Sequence, residues 1–457
     1  MCDFLLSTSG LRALVKEETP ALFAQYARAF VHLFGRGSYL LATDTRPSRN
    51  LLLPEIISAI TSEGSDVITL GIAPTPILPF LVKRMNFSGG IVITASHNPM
   101  EYNGMKFIGP DGLFLGEEEI RKLKEEVESE KKEDNKKKKG SHSYNPNLCD
   151  LYIEHLLGAK IFSGIKFKNF YCLIDACNGA VYYLIDRVLE KIGCRVNHIY
   201  SPIQNKKPCF PRPPEPTADH LFKLKAAVLK EEGDLGIAFD PDGDRVSFVC
   251  EDGKALGEEL TLPLALEFFL NRRKSPVVCN LSTTLLVEFV AQRYGVMTYR
   301  TKVGERNVIE EMIIRKSLIG GEGNGGVIIP EINFTRDGIL TTLLILALLS
   351  ERGKISSLVR EFPRFFIKKL SFSYTPKQKE LFFGLAEEMK KILCGKGEVK
   401  EDRQDGLWLG NENAFCHFRP SKTEPIFRII LCSKNRTLID RAKEIIEEKL
   451  GGEKCVE

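Results

Sequence analysis

The sequence predicts an α/β protein: three similar α/β domains with mixed sheets in series, plus a smaller C-terminal α+β domain. Two observations lead to this prediction. Short apolar runs alternate with helix-like patterns through most of the chain, which is the rhythm of βαβ units. The 457 residues also exceed the length at which one hydrophobic core stops growing, about 250 to 300 residues. Several domains in series are therefore expected.

Domain I, predicted over residues 1–149, shows the rhythm clearly. The runs Tyr39–Ala42, Asp66–Leu70 and Gly90–Ile93 predict strands, and Pro54–Ser62 predicts a helix. The domain ends in a stretch of glutamate and lysine that runs to Gly140 and is typical of a solvated linker or surface loop. Its lysines at 136–139 offer charge to an anionic partner, but a solvated run is the favoured interpretation.

Domains II and III, predicted over residues 150–255 and 256–364, repeat the pattern, which suggests an internally repeated architecture. Their predicted elements are the strands Phe170–Ile174, Gly236–Phe239, Val246–Cys250, Val277–Asn280 and Gly320–Glu322, a helix running toward Gly193, and a buried helix through Leu343–Leu349.

Domain IV, predicted over residues 365–457, has a different set of predicted strands and helices, which is typical of a small α+β domain. Its predicted strands are Ile367–Tyr374, Ala414–Phe418 and Phe427–Cys432, and its predicted helices are Gln378–Leu393 and Leu438–Leu450.

Composition excludes several classes of protein. A net charge of +4 is too small to imply nucleic acid as a partner. The longest purely apolar run, Leu343–Leu349, is too short to span a bilayer, and the first residues lack the basic region of a signal peptide. The twelve cysteines are scattered without a zinc-ligand spacing, which favours reduced thiols. We therefore expect a cytoplasmic enzyme that acts on a small molecule and contacts neither membrane nor nucleic acid.

The most specific chemical pattern is Asp240-Pro-Asp242-Gly-Asp244-Arg245, directly after a predicted strand. Carboxylates at alternate positions of one loop can converge on one point, where they repel each other unless a hard cation neutralises them. Three carboxylates leave room for a phosphate oxygen in the shell of Mg²⁺. The loop thus predicts a metal site, and Arg245 adds a fixed cation beside it.

A calcium-binding EF-hand is the nearest alternative, because the three aspartates and Glu251 fall at the first, third, fifth and twelfth positions of that loop. Pro241 stiffens the entry, and Arg245 stands where the EF-hand turn needs glycine. The flanking segments also read as strands. These three departures disfavour the alternative.

Ser96 lies in Thr94-Ala-Ser-His97-Asn-Pro, just after a buried apolar run. A serine at the end of a strand is more often a cap than a nucleophile. There is no G-x-S-x-G elbow, and in an extended backbone His97 would point away from Ser96, which disfavours a hydrolase dyad. A phosphoserine coordinated to the metal of the aspartate loop fits better.

Two further loops suit a sugar phosphate. Glu322 and Asn324, within the glycine-rich segment 321–326, can hydrogen-bond to vicinal sugar hydroxyls. The turn at 419–425 combines cationic and hydroxyl side chains that suit a dianionic phosphate, although it can equally be a structural turn. The side chains proposed to bind phosphate are Arg419, Ser421, Lys422, Thr423 and, on the following strand, Arg428.

With these four loops in this order, the chain resembles the α-D-phosphohexomutase superfamily over essentially its whole length. The resemblance also rests on Ser9-Gly-Leu-Arg12, Asp44-Thr-Arg46 and Asn103-Gly-Met-Lys106. It implies four domains around a central cleft and an active-site phosphoserine at Ser96. It further implies Mg²⁺ on the seryl phosphate, Asp240, Asp242 and Asp244.

By the same resemblance, the transferring phosphoryl group is surrounded by Arg12, His97, Lys106 and Arg245. The chemistry implied is phosphoryl transfer from Ser96 to one end of a hexose phosphate. A hexose 1,6-bisphosphate then turns over, and its other phosphate returns to the serine. The bisphosphate also serves as activator.

Four positions, two of them in the sugar loop, depart from the superfamily pattern. Many members read G-E-x-S-G-H in the sugar loop, whereas this chain has Asn324 for the serine and Gly326 for the histidine. Any proton transfer by that histidine is absent here. Lys422 replaces a small or amide residue, and Thr43 stands where arginine often precedes D-T-R.

The sugar-loop form G-E-G-N-G-G resembles archaeal-type phosphoglucosamine mutases, so glucosamine phosphate is the favoured substrate. Phosphomannomutase or phosphoglucomutase activity is the alternative. A non-catalytic sugar-phosphate sensor with the same fold is the competing class, motivated by the altered sugar loop. Monomer and homodimer are both compatible with the sequence.

Overall fold

Four sheets follow one another along the chain in the computed structural model, which describes residues 4–129, 138–201, 209–373, 376–395, 398–420 and 426–450. The first three sheets mix parallel and antiparallel strands and carry helices, whereas the fourth is antiparallel. The predicted fold class is therefore confirmed. The exact residues at which one domain ends and the next begins remain a prediction.

The first sheet has seven strands in the order β1-β2-β6-β5-β3-β4-β7. Its strands are β1 (Phe4–Ser7), β2 (Gly10–Leu14), β3 (Ser38–Thr43), β4 (Asp66–Ile72), β5 (Gly89–Ile93), β6 (Tyr102–Ile108) and β7 (His142–Tyr144). The helices are α1 (Thr19–Phe34), α2 (Arg49–Ser62), α3 (Ile77–Met85) and α4 (Glu117–Glu128). Helix α2 begins five residues before the predicted start and contains Pro54 in its interior.

The second sheet has the order β11-β10-β8-β9, with β8 (Tyr171–Asp175), β9 (Arg195–His198), β10 (Leu235–Phe239) and β11 (Val246–Cys250). Its helices are α5 (Cys149–Leu157), α6 (Ile185–Leu189) and α7 (Phe222–Lys230). The helix predicted to run toward Gly193 is present as the short α6, which continues through a 3₁₀ turn that ends at Gly193. A short α6 lies between two 3₁₀ turns, Ala180–Tyr183 and Glu190–Ile192.

The third sheet has the order β13-β12-β14-β15, with β12 (Val277–Asn280), β13 (Thr298–Thr301), β14 (Ile319–Glu322) and β15 (Gly326–Ile328). Its helices are α8 (Thr261–Arg272), α9 (Leu286–Arg293), α10 (Glu305–Arg315), α11 (Gly338–Arg352) and α12 (Ile355–Arg360). Helix α11 is buried from Gly338 to Leu349, as an apolar sequence without a polar stripe requires.

The fourth sheet has the order β16-β20-β19-β18-β17. Its elements are β16 (Phe366–Ser373), α13 (Pro376–Cys394), β17 (Lys400–Asp402), β18 (Leu407–Gly410), β19 (Ala414–Pro420), β20 (Ile426–Ser433) and α14 (Arg436–Leu450). Among the described residues, no helix is both long and apolar enough to cross a membrane.

The hydrophobic core is divided unequally among these units. One continuous cluster extends from Leu40 in β3 through the second and third sheets to Phe362. The fourth sheet packs on α13 and α14 around a core of its own. A small apolar cluster, with Leu281 and Leu285 on one side and Trp408 and Phe415 on the other, joins the third and fourth units.

Candidate active site

The repeated architecture places the sequence-predicted loops in equivalent positions. Strands β5 and β6, β10 and β11, and β14 and β15 are antiparallel neighbours, and each pair is joined by one of the predicted loops. Strands β19 and β20 also pair, and they flank residues 421–425. Ser421, Lys422 and Thr423 lie outside the described residues, so their predicted roles remain predictions.

The aspartate loop between β10 and β11 brings its three carboxylates together. Asp240, Asp242 and Asp244 are fully buried, and one oxygen of each lies within 4.8 Å of the others. The Oδ1 atom of Asp240 accepts hydrogen bonds from the backbone N–H groups of Gly243 and Arg245, both at 3.1 Å, which folds the loop back on itself. The hydroxyl of Thr75 donates to Asp242 Oδ2 at 2.8 Å.

These carboxylates fit a hard divalent cation. The Oδ1 atoms of Asp242 and Asp244 are buried, and neither accepts a hydrogen bond from the described residues. Buried oxygens of this kind are rare unless an ion or water completes them. Burial, followed by the charges of Asp242 and Asp244, raises the pKa of Asp240 well above its ordinary range. A cation bound at this point would remove that repulsion.

Lys106, on β6, reaches into the same cluster from the first unit. Its Nζ atom lies 2.6 Å from Asp242 Oδ2 and 2.9 Å from Asp244 Oδ2. Burial lowers the pKa of the Lys106 amine, but the two aspartates outweigh it and raise the pKa overall. Lys106 is therefore charged and lies beside the aspartate cluster.

Ser96 lies at the edge of the aspartate loop. Its Oγ atom is 3.4 Å from Asp240 Oδ2 and 3.4 Å from His97 Nδ1, and the residue is 1% exposed. The backbone has a φ of +51° at Ser96, in the left-handed region, so the segment is not extended. The expectation that His97 points away from Ser96 is wrong for this reason.

Arg46 holds the serine loop from behind. Its guanidinium is fully buried and donates to the carbonyl oxygens of Ser96, Asn98, Pro99 and Tyr102 at 2.5 to 2.9 Å. Asp44 pairs with Arg46 and also accepts the Thr94 hydroxyl at 2.7 Å. The D-T-R segment thus supports the loop and does not face the aspartates.

Two further arginines surround Ser96 and His97. Arg12 Nη1 donates to Asn98 Oδ1 at 2.6 Å, and burial together with the charge of Arg245 lowers the pKa of Arg12 to about 10. Arg245 pairs with Glu215, a residue that sequence reasoning missed. Burial, then Arg245 and Arg12, lowers the pKa of His97 well below its ordinary value. The imidazole is neutral at pH 7 in this environment.

The sugar loop places Glu322 in a dense set of donors. Its Oε1 atom accepts from Asn280 Nδ2 at 2.7 Å and from the Gly304 N–H at 3.2 Å. Its Oε2 atom accepts from Arg336 Nη1 at 3.0 Å and from Asn324 Nδ2 at 3.3 Å. A sugar hydroxyl that binds Glu322 would therefore replace one of these donors, most simply the long contact from Asn324.

Arg336, just before α11, was not found from the sequence. Its guanidinium pairs with Asp244, Glu305 and Glu322, and so connects the aspartate loop to the sugar loop. Burial raises the pKa of Asp244, but Arg336 and Lys106 outweigh it and bring the pKa well below its ordinary value. The charged dipeptide Arg336-Asp337 at the start of an otherwise apolar helix was the available signal.

The fourth unit contacts the third unit through Asp405, which Arg419 holds, and contacts the sugar loop through Lys369. Arg419, at the end of β19, pairs with Asp405 at 2.9 Å, and the Val303 N–H donates to Asp405 at 3.0 Å. Lys369, on β16, lies 2.9 Å from Glu258 and 2.8 Å from Glu259, and donates to the Gly323 carbonyl at 3.2 Å.

Arg419 and Arg428 face each other across the β19–β20 pair. Both residues therefore lie near the strand ends that border residues 421–425. Of the predicted phosphate-binding residues, these are the two that the structure describes.

Comparison with known proteins matches three family models in series. They are the alpha/beta/alpha domains I, II and III of phosphoglucomutase/phosphomannomutase, at residues 4–134, 150–253 and 257–365. The chain is 32% identical to a phosphoglucomutase/phosphomannomutase of Thermococcus kodakarensis, over 98% of this chain and 99% of that protein. It is also 32% identical to a probable phosphoglucosamine mutase of Pyrococcus abyssi, over 97% and 98% of the two chains.

Among solved structures, a putative phosphomannomutase from Thermus thermophilus aligns with a TM-score of 0.81 at 25% identity. The alignment covers 99% of this chain and 100% of that chain. Fold and site together define an enzyme of the phosphoryl-transferring isomerase class. The chain belongs to the α-D-phosphohexomutase superfamily.

Proposed function

We propose that this mutase interconverts the 6-phosphate and the 1-phosphate of a hexose through a phosphorylated Ser96 and a hexose 1,6-bisphosphate intermediate. The observation that carries the proposal is the position of Ser96 Oγ, 3.4 Å from Asp240 Oδ2, beside aspartate oxygens that accept no hydrogen bond from the described residues. A phosphate on that hydroxyl would add an oxygen ligand to the aspartate set.

The proposed metal is Mg²⁺, held by Asp240, Asp242, Asp244 and the seryl phosphate. When bound, a divalent cation neutralises the charge that develops on a transferring phosphoryl group. Oxygen ligands alone, all hard and anionic, suit Mg²⁺ better than a softer metal.

Side chains of the first two units would bind and orient the phosphoryl group. Lys106 is charged and lies beside the aspartates, and Arg12 and Arg245 flank the serine loop as fixed donors. A planar guanidinium can grip two phosphate oxygens at once. His97 Nδ1, at 3.4 Å from Ser96 Oγ, can hold a proton at that oxygen as the phosphoryl group leaves.

The reaction requires either end of the sugar phosphate to face Ser96 in turn. We assign the non-reacting phosphate to Arg419, Arg428 and the segment Ser421–Thr423, and the sugar hydroxyls to Glu322 and Asn324. Because the phosphate-binding residues belong to a separate unit, they can hold whichever phosphate is distant from the serine.

Glucosamine phosphate is the favoured substrate. The G-E-G-N-G-G form of the sugar loop supports it, as does the similarity to a probable phosphoglucosamine mutase. The similarity to a phosphoglucomutase/phosphomannomutase supports the alternative, in which glucose or mannose phosphate is preferred. Cytoplasmic location and a monomeric or homodimeric state remain predictions.

The test is kcat/KM across the 1- and 6-phosphates of glucosamine, N-acetylglucosamine, glucose and mannose, with Mg²⁺ and glucose 1,6-bisphosphate. We expect the highest value for glucosamine phosphate. A higher value for mannose or glucose phosphate would establish the alternative, and no turnover of any compound would contradict the proposal. Intact mass should show one phosphate on a fraction of the protein, absent in Ser96→Ala.

A further inference from the structure

Arg336 is a buried cation shared by three parts of the site. The residue is 8% exposed and immediately precedes the capping residue of α11, Asp337. Its Nη2 lies 2.7 Å from Asp244, its Nη1 lies 3.0 Å from Glu322, and its Nε lies 3.2 Å from Glu305. One guanidinium therefore fixes the aspartate loop, the sugar loop and the start of α10 relative to one another.

Gly326 supplies the space that the Arg336 side chain occupies. A Cβ atom at Gly326 would lie 2.2 Å from Cδ and 2.7 Å from Cγ of Arg336. Gly326 does not have the positive φ that would call for glycine on backbone grounds. The stem of Arg336 is not free to move aside, because its head is held by three ion pairs.

We propose that Arg336 is a positioning residue for the hexose and that Gly326 is its steric partner. Arg336 holds the Glu322 carboxylate toward the sugar at a fixed place relative to the aspartate loop, so that the hydroxyls and the transferring phosphate are located together. The inference rests on the proposed function, since it takes Glu322 as the residue that binds the sugar.

The chemistry of the cluster explains why this residue is an arginine. Glu322 Oε1 already accepts hydrogen bonds from Asn280 Nδ2 and from the Gly304 N–H. One fixed donor to Oε2 therefore determines the orientation of the carboxylate. A guanidinium presents several donors in one rigid plane, whereas a lysine ammonium is a point charge and cannot reach three carboxylates with the same geometry.

The contacts between Gly326 and Arg336 account for the glycine that this chain has in place of the superfamily's histidine. A side chain at position 326, such as the histidine of many superfamily members, would need the volume that Arg336 fills. In this backbone a side chain at 326 and an arginine at 336 therefore exclude each other. The loop is adapted to a cation that comes from the start of α11.

A double-mutant cycle tests the pairing. The variants are Gly326→Ala, Arg336→Ala and the double variant, with Gly384→Ala as control, because a Cβ at exposed Gly384 meets nothing within 4 Å. We expect Gly326→Ala to lower kcat/KM about tenfold in the wild-type background and less than about twofold when Arg336 is alanine. Equal losses in both backgrounds would overturn the pairing.

Arg336→Lys tests the positioning role without removing the charge. We expect the Kd of metal-free protein for glucosamine 6-phosphate, measured by calorimetry in a Ser96→Ala background, to rise about tenfold. A purely structural role would lower the melting temperature and leave this Kd unchanged, which would overturn the inference. Because Arg336→Lys retains the buried cation, it also serves if Arg336→Ala fails to fold.

The two proposals fail in different ways. A wild-type protein that turns over no hexose phosphate contradicts the proposed function. An active wild type with an additive cycle, or with an Arg336→Lys variant of unchanged Kd, contradicts only the role given to Arg336.

Discussion

Arg46 shows how much of the serine loop depends on one side chain. It donates to the backbone carbonyls of residues 96, 98, 99 and 102, and its charge is balanced by Asp44. Burying a guanidinium without these partners would be costly, so the loop and the arginine fix each other. The D-T-R segment therefore determines where the Ser96 hydroxyl lies, although it does not touch the aspartates.

We expect Arg46→Lys to destabilise the protein by about 2 to 3 kcal/mol, because lysine keeps the charge but loses several hydrogen bonds to the loop. The fraction of protein phosphorylated on Ser96 after incubation with glucose 1,6-bisphosphate should fall as well. Urea unfolding and intact mass measure the two effects. Arg49→Lys, a half-buried arginine on α2, is the control and should change neither.

Asp242 is the residue at which the metal assignment can be tested most directly. Asp242→Ala removes an oxygen that accepts no hydrogen bond in the described structure and also a partner of Lys106. We expect kcat to fall by a factor of about 100 or more, because charge on the transferring phosphoryl group is no longer stabilised.

Calorimetry should also show that Mg²⁺ binding is lost in this variant. Asp252→Ala changes an exposed carboxylate beyond β11 and should retain both activity and metal binding. An Asp242→Ala enzyme with more than about a tenth of the wild-type kcat would refute the metal assignment.

The aspartates and Ser96 could be predicted from sequence because their spacing within one loop carries the chemistry. Arg336 and Glu215 could not, because each acts through partners that are distant along the chain. Arg336 reaches Asp244 across 92 residues, and Glu215 meets Arg245 across 30. Ion pairs of this kind depend on how the sheets pack and leave no local pattern.

At the scale of elements, the antiparallel strand pairs explain why the loops converge. Each of the first three sheets contains parallel strands. In each of them, the strand that precedes the predicted loop pairs with an antiparallel strand that follows it. Such a tight return leaves little freedom to the residues between the strands. Buried apolar runs predicted most of the central strands, whereas the exposed strand β7 and the partly exposed strand β1 were missed because they lack a periodic apolar pattern. The buried strands β6 and β18 were missed as well.

Strand β16 contacts the sugar loop through Lys369, and Lys369→Met tests this contact. The variant leaves Glu258 and Glu259 without their shared cation and frees the Gly323 carbonyl. We expect KM for the hexose phosphate to rise about threefold to tenfold, a loss of the order of a partly exposed charged contact.

Lys368→Met is the matched control, because its exposed side chain projects from the opposite face of the same strand. The ratio of the two KM values isolates the contact to the sugar loop. Identical KM values for the two variants would remove Lys369 from the substrate-positioning residues.

At the scale of the whole molecule, the fourth unit is joined to the others by a small apolar contact. One apolar cluster continues from the first unit through the second and third, although the first unit also has a core of its own, and the fourth unit packs around a separate core. His417 lies at this contact. It is fully buried, donates from Nε2 to the Asp405 carbonyl at 2.7 Å, and accepts the Ser282 hydroxyl at Nδ1.

The contact at His417 should weaken in acid. Burial, opposed by Asp405 and assisted by Arg419 and Arg300, lowers the pKa of His417 to about 4. Between the ordinary histidine pKa of about 6.5 and that value, the unfolded chain binds more protons, so stability present above about pH 6.5 falls as the pH is lowered. The loss approaches about 3 kcal/mol near pH 4.

Hydrogen exchange at pH 7 and pH 5 measures this effect unit by unit. We expect the protection factors, which are corrected for the intrinsic pH dependence of amide exchange, to fall first at pH 5 in residues 398–420 and 426–450. The first three units should stay protected, and the fall should be smaller in His417→Gln. Uniform acceleration across all four units, or no change in His417→Gln, would contradict the assignment.

The left-handed backbone at Ser96 limits which residue could carry the proposed phosphate. Threonine has the same hydroxyl, but its branched Cβ is a genuine outlier at a φ of +51°. Aspartate and asparagine tolerate this conformation, yet neither can be phosphorylated as a hydroxyl. Both the need for a hydroxyl and the left-handed backbone of the turn therefore favour serine at this position. Ser96→Thr would therefore keep the hydroxyl and strain the turn that positions it.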